Sequence, residues 1–422
     1  MEFTLESFFN PHLALGASRM DAVFTIGASG AAPVRQAGQR AVGFIVDISS
    51  SMDSGNKMGA AKNALYHCID MLDESTLFSV VGLSTSSSVV VNMTSATEAA
   101  KTRAHAQILK LTARGGTLMS TGLNAMRDVF ESAGNVIGYV QFLTDGENDP
   151  MDEQNLVRVL DGCKGVFRCD CRGVGTDWRP KQLRLISEAL LGTADAAPDP
   201  DRLKTDFAAA LGSALSKGMG HVRLRLWSPK TVRLVGIKQT NPEIVDLMSQ
   251  AARIDEKTLE IPLGDWGEEE RDYHLSLELQ PGDPGDEMMA CRPSMVFSDE
   301  GQETKVAGQP IIATWTSNDE LSTRINQEVA HYTGQEELAE SIREGLEAKE
   351  RGDMDQASVL LGKAARVAAQ TGNEDVTRRL ARVVDVIDAD QGTVRLKSGA
   401  GKAEVLELDM GGARTVRRRP AK

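Results

Sequence analysis

Apolar residues recur along the chain with two different periods, and the changes of period mark its segments. Between residue 39 and about 218, short apolar runs alternate with stretches of helical period. The runs at 42–46, 77–83, 138–144 and 166–172 read as buried strands, with a hairpin edge strand at 88–92. Met58, Ala61, Leu65, Cys68, Ile69 and Leu72 recur at helical spacing after the first run. Further helices are predicted over 96–111, 121–132, 153–163, 182–190 and 201–217. Strands separated by helices of this length predict an α/β fold with a doubly wound, mostly parallel, Rossmann-like sheet over 39–218.

The period then shortens to two. Val222-Arg223-Leu224-Arg225-Leu226-Trp227 alternates apolar and basic residues, as a half-buried strand does. Further strands are predicted at 232–235, 258–262, 273–279, 289–297 and 311–315. Together they read as an antiparallel β-sandwich over 219–317. An N-terminal segment, 1–38, carries a strand at 22–26 and a loop at Gly27, Gly30 and Pro33, and is expected to join that sandwich. From 318 to 390 the pattern is helical again. Leu338, Ile342 and Leu346 make one face, Ala357, Leu360, Leu361, Ala364 and Val367 a second, and Val376, Leu380, Val383, Val384 and Ile387 a third. Gly352-Asp353 and Gly372-Asn373 separate them. The first turn resembles one tetratricopeptide unit; a plain three-helix appendage fits the pattern as well. In the tail, 391–422, a strand pair is predicted at 393–397 and 404–408. Arg414, Arg417, Arg418, Arg419 and Lys422 then form a basic end, either solvated or docking to an acidic partner.

Composition narrows the function. A net charge of −13 argues against nucleic acid as a partner. No stretch of 18 apolar residues predicts a membrane span, and the N-terminus has no basic segment leading an apolar run. Five cysteines include no Cys-x-x-Cys pair, and Cys169 and Cys171 alternate with Phe167 as core residues do. The expected compartment is a reducing cytoplasm.

The candidate chemistry lies where the first apolar run stops. Val46 is followed by Asp47-Ile48-Ser49-Ser50-Ser51. Ligands of open α/β sheets bind beyond the carboxyl ends of such strands. Alternate positions in an extended turn can aim three oxygen donors at one point, which suits a small hard cation such as Mg²⁺. Taken alone, the same residues also read as a helix start capped by Ser51 or Asp53. Two distant pieces add to the first reading: the loop Gly115-Gly116-Thr117, and Thr144-Asp145-Gly146 at the end of the run at 138–144.

These pieces, Asp-x-Ser-x-Ser, then Thr, then Asp-Gly after a strand, resemble the metal-ion-dependent adhesion site of von Willebrand factor A domains. By that resemblance Ser49, Ser51 and Thr117 bind the metal directly, and Asp47 and Asp145 hold it mostly through water. The metal is Mg²⁺, or Mn²⁺ or Ca²⁺. The resemblance implies a protein partner whose Glu or Asp fills the open coordination position. Ser50 departs from the glycine usual in the family, at a position that supplies no ligand. The stretch Ile261-Pro262-Leu263-Gly264-Asp265-Trp266 through Arg271 resembles the sandwich that flanks bacterial A domains. The domain order resembles that of bacterial, particularly actinobacterial, members, which implies a stress-response or tellurite-resistance setting.

No enzyme is predicted. The phosphate loop, His-Glu-x-x-His and Gly-x-Ser-x-Gly patterns are absent. Metal-assisted phosphoester hydrolysis would need a positioned base and cations. Lys57 and Lys62 are the nearest cations in sequence, and the sequence assigns neither a role. With two acids facing a divalent ion, the site is expected to be near neutral. A structural scaffold, with the metal only holding loops, is the alternative.

Overall fold

Runs that are apolar on both faces bury only between two layers of helix, and parallel pairing provides that. The computed structural model describes residues 1–30, 39–134, 136–299 and 302–418. It divides into one unit formed by Pro33–Gly218 and another formed by Met1–Ala32 with Met219–Lys422. The expected turn at Pro33 and the basic residues Arg419 and Lys422 lie outside the described residues.

Among the described residues, the unit Pro33–Gly218 holds a six-stranded sheet. Its order is Ser87–Ser95, Leu77–Leu83, Gln39–Asp47, Val136–Thr144, Arg168–Val174, Ala194–Ala197. Every neighbouring pair is parallel except the hairpin of Leu77–Leu83 with Ser87–Ser95. The short strand Ala194–Ala197 was not expected; its residues carry no apolar run. Alternate residues of the central strand face opposite helical layers. Phe44 and Val46 share a core with Leu65 and Ile69 of the helix Lys57–Met71 and with Phe207 of the helix Leu203–Leu215. Gly43 and Ile45 face the helix Met119–Ala133, where Met126 and Gly122 approach them. This is the doubly wound arrangement read from the alternation.

Among its described residues the other unit contains a five-stranded and a seven-stranded sheet, and a two-stranded sheet further along the chain. In the five-stranded sheet, Arg19–Ser29 lies between Glu2–Phe9 and Glu269–Leu279. The N-terminal strand therefore joins the later strands, as expected. It also runs on through Gly27, which pairs with Thr4 and Glu270 instead of opening a loop. The seven-stranded sheet departs from a purely antiparallel sandwich, since His12–Ala14 pairs in parallel with Ile311–Thr316. Trp266, Trp315, Tyr273 and Phe24 are among the largest fully buried side chains. Trp266 ends the strand Thr258–Trp266, and the Arg271 guanidinium lies 4.2 Å from the centre of its ring. Arg271 also donates to the Leu263 and Asp265 carbonyls, so the 261–271 stretch closes one hairpin on itself.

Among the described residues a short helix, Asp319–Ser322, and then three longer ones follow, Gln327–Glu350, Met354–Thr371 and Glu374–Val383. Two expectations fail beyond them. Val384 and Ile387 do not continue the third helix; Val384–Asp388 is a strand paired with Thr393–Leu396. Residues 404–408 do not form its partner; they lie in the helix Lys402–Gly411. The β-branched run Val383-Val384-Asp385-Val386-Ile387 prefers the extended state, and a turn ending at Gly392 supplies a local strand partner. Leu408 is thereby free to pack with Ile342, Leu346 and Leu380.

The basic end is also not solvated as far as Arg418. Arg417 Nε lies 3.0 Å from Asp272 Oδ2, and its guanidinium also pairs with Glu270. The Thr415 amide donates to the Pro242 carbonyl at 3.1 Å. His331 Nε2 lies 2.7 Å from the Val416 carbonyl oxygen. The described cations Arg414, Arg417 and Arg418 thus answer acids of their own unit.

Candidate metal centre

Strand order places the site. Gln39–Asp47 connects through the helix Lys57–Met71 to Leu77–Leu83 on one side, while Val136–Thr144 lies on its other side. The connections diverge here, and the crevice of an open α/β sheet forms at such a switch point. Val46 pairs with Leu143, so Asp47 and Asp145 emerge side by side from the carboxyl ends of adjacent strands.

All five residues singled out in the sequence converge. Asp47 Oδ1 accepts the Ser49 amide at 2.7 Å. Ser49 Oγ lies 3.0 Å from Ser51 Oγ, which donates to Asp145 Oδ1 at 2.7 Å. Thr117 Oγ1 reaches Asp47 Oδ2 at 3.5 Å. Asp47 and Asp145 are fully buried, Ser49 and Thr117 are buried, and Ser51 is exposed. The site therefore has a buried floor and an open lip.

Backbone bonds lock the loops together. Ser50 donates its amide to the Gly115 carbonyl, and the Asp149 amide donates to the Thr117 carbonyl. Asn148 Oδ1 accepts the Met119 amide at 2.8 Å, and Asp152 accepts the amide and hydroxyl of Ser120. The capping alternative is not what forms. Ser50–Asp53 is a short 3₁₀ turn, and the following helix starts at Lys57 after Asn56 in a left-handed conformation, with no side-chain cap.

Two participants were missed. Thr144 Oγ1 donates to Asp47 Oδ2 at 2.6 Å. Its position as the last residue of the strand before Asp145 is a signal that the sequence did carry. Lys57 is the larger omission. Its Nζ lies 2.7 Å from Asp145 Oδ2, and the residue is 8% exposed. The near-neutral balance expected for two acids and a divalent ion is corrected accordingly: with the Lys57 ammonium counted, the two buried carboxylates carry one net negative charge, which a divalent ion would exceed. Lys62 plays no such part; its ammonium meets the Leu109 and Leu111 carbonyls.

Electrostatics and space both fit a cation. Burial pushes the Asp47 carboxyl above its usual range; bonds from Ser49 and Thr144 hold it down, and the neighbouring Asp145 charge pushes it up again. A nearby positive ion removes that penalty. Gly146 leaves a cradle: a Cβ there would stand 3.2 Å from Thr117 Oγ1 and 3.7 Å from Ser51 Oγ. Among the described residues no group of three or more His, Cys, Asp or Glu could hold a metal. The oxygens gathered here come instead from two carboxylates and three hydroxyls, a hard donor set suited to Mg²⁺, Mn²⁺ or Ca²⁺.

The comparisons with known proteins agree with this architecture. Residues 40–196 match the von Willebrand factor type A domain, and residues 366–412 match the von Willebrand factor type A C-terminal domain. The second match spans the hairpin and the last helix, where the sequence pattern misled. No curated protein matches the chain. Among solved structures, a von Willebrand factor type A protein from Catenulispora acidiphila is 36% identical; the match covers 99% of this chain and 97% of that one, with a TM-score of 0.92. The ArnB paralog VWA2 from Sulfolobus acidocaldarius shares the fold at 12% identity, over 98% of this chain and 99% of that one, with a TM-score of 0.61. Gathered oxygens at the switch point, a Rossmann-like sheet and a full-length relative lead to one assignment: the chain belongs to the von Willebrand factor type A family.

Proposed function

We propose that this protein is a metal-dependent protein-interaction module. Mg²⁺, or Mn²⁺ or Ca²⁺ in its place, binds at Asp47, Ser49, Ser51, Thr117 and Asp145, and a Glu or Asp of a partner protein completes its coordination. The observation that carries this reading is the convergence of those five side chains at the switch point, with Ser51 at the open lip. Proteins with this domain are commonly interaction modules and generally not enzymes. Hydrolysis is not part of this proposal.

The setting follows from weaker observations. The five cysteines are buried free thiols, which suits a reducing cytoplasm. No helix of the described residues is long and apolar enough to cross a membrane. The stress-response or tellurite-resistance setting rests on the resemblance in domain order.

The test compares wild type with Asp47→Ala, each in Mg²⁺ and in EDTA. Mn²⁺ binding is measured by calorimetry, and partner capture is measured from lysate. The expected result is Mn²⁺ binding by wild type alone, and a partner retained only by wild type in Mg²⁺. Equal capture under all four conditions would overturn the reading in favour of a scaffold.

A further inference from the structure

The lysine that the sequence left without a role is the least explained charge in the site. Lys57 is the first residue of its helix, and the first turn holds no acid. A cation there opposes the helix dipole, so helix formation does not account for it. Space is nonetheless kept for it. Gly175 has φ 71°, and a Cβ at that position would stand 3.0 Å from Lys57 Cε. The ammonium ends 2.7 Å from Asp145 Oδ2 and 3.8 Å from the exposed Asp177.

With Lys57 in place, every carboxylate oxygen of the site has a donor from the chain itself. Asp47 Oδ1 has the Ser49 amide, and Asp47 Oδ2 has Thr144 and, at 3.5 Å, Thr117. Asp145 Oδ1 has Ser51, and Asp145 Oδ2 has Lys57. A buried carboxylate left unpaired is strongly destabilising, and here neither is left so. The charge count carries the argument further. Counting its buried side chains, with the 60% exposed Asp177 screened by water, the site with Lys57 holds one net negative charge, so a divalent ion alone leaves an excess positive charge. A divalent ion together with one carboxylate brings the site to neutrality. Without Lys57 the ion alone would be neutral, and an added carboxylate would leave a negative excess.

We infer that Lys57 couples metal to ligand. Its ammonium serves as the resident counter-ion of Asp145 in the metal-free site, weakens binding of the metal alone, and makes the complex of metal plus carboxylate the favoured state. This rests on the metal-dependent reading above. By linkage, the metal raises carboxylate affinity by the same factor as the carboxylate raises metal affinity.

The experiment titrates the full chain, wild type and Lys57→Met, with Mn²⁺ by calorimetry, without and with saturating acetate. Lys57→Gln is a second variant, which keeps a polar side chain without the charge, and circular dichroism in EDTA confirms folding. The expected result is that both variants bind Mn²⁺ alone at least about tenfold more tightly than wild type, as removal of a neighbouring unit charge implies. Acetate should tighten Mn²⁺ binding several-fold in wild type and markedly less in the variants. Variants that bind where wild type does not would also support the counter-ion role, while showing that the native site does not hold metal by itself. Unchanged Mn²⁺ affinity, or an equal acetate effect, would overturn the coupling and leave the metal reading standing. Absence of Mn²⁺ binding in all three proteins, with and without acetate, would overturn both.

Discussion

His274 sits between two carboxylates: its Nδ1 is 2.6 Å from Glu336 and its Nε2 is 3.2 Å from Asp21. Lys238 shares Glu336 at 2.7 Å. Burial acts against a charged ring, but the hydrogen bonds and charges of Asp21 and Glu336 outweigh it and raise the pKa from 6.5 to about 9. A folded-state pKa above the unfolded one stabilises fully below the unfolded value, and the contribution is lost as the pH rises through the folded value. We therefore expect wild type to be more stable than His274→Gln at pH 6, by up to about 3 kcal/mol. The gap should close by pH 9.5, as read from urea unfolding at the two pH values. A gap that is the same at both would refute the protonated pair. At the same scale, Lys57 shows why single residues escape a sequence reading. Its spacing from Asp47 matches no motif, and only the fold brings residue 175 and residue 145 to either side of it.

At the scale of elements, the tail acts as a strap within its own unit. Asp272 is 1% exposed and accepts Thr25 Oγ1 and Tyr332 Oη at 2.5 Å each, with Arg417 closing the cluster. Removing one partner of such a pair strands a buried charge. Because the Arg417 side chain is 19% exposed, water softens the loss. We expect Arg417→Met to cost about 2 kcal/mol. The double variant with Asp272→Asn should cost less than the two single changes together, as a double-mutant cycle by urea unfolding would show. The misread hairpin and last helix belong to this scale too. A valine-rich run and the apolar residues Val405, Leu406 and Leu408 state a local preference, but the helix cluster around Leu380 decides which of them becomes a strand.

At the scale of the whole molecule, the two units use the chain differently. The sheet of Pro33–Gly218 draws all its described strands from one continuous stretch. The sandwich instead needs Arg19–Ser29 in the interior of its five-stranded sheet. We expect residues 33–218, expressed alone, to melt cooperatively and to bind Mn²⁺ as the full chain does. Residues 219–422 alone should give no cooperative transition, because Glu269–Leu279 would lose a pairing partner along its length and expose an edge. A cooperative melt of that second fragment would show that the N-terminal strand is dispensable.

The sequence alone determined the alternation of strands and helices over 39–218, the joining of the N-terminal strand to the later sheet, and five of the site's side chains. Each follows from a local signal: an apolar run, a period, or an acid where a buried strand stops. Only the tertiary structure decided that Lys57 and Thr144 belong to that site, that Arg417 is held by Asp272, and that residues 384–388 and 402–411 take the states they do. Those outcomes depend on partners far away in sequence, and a buried charge or an ambiguous apolar stretch is settled by what surrounds it in space.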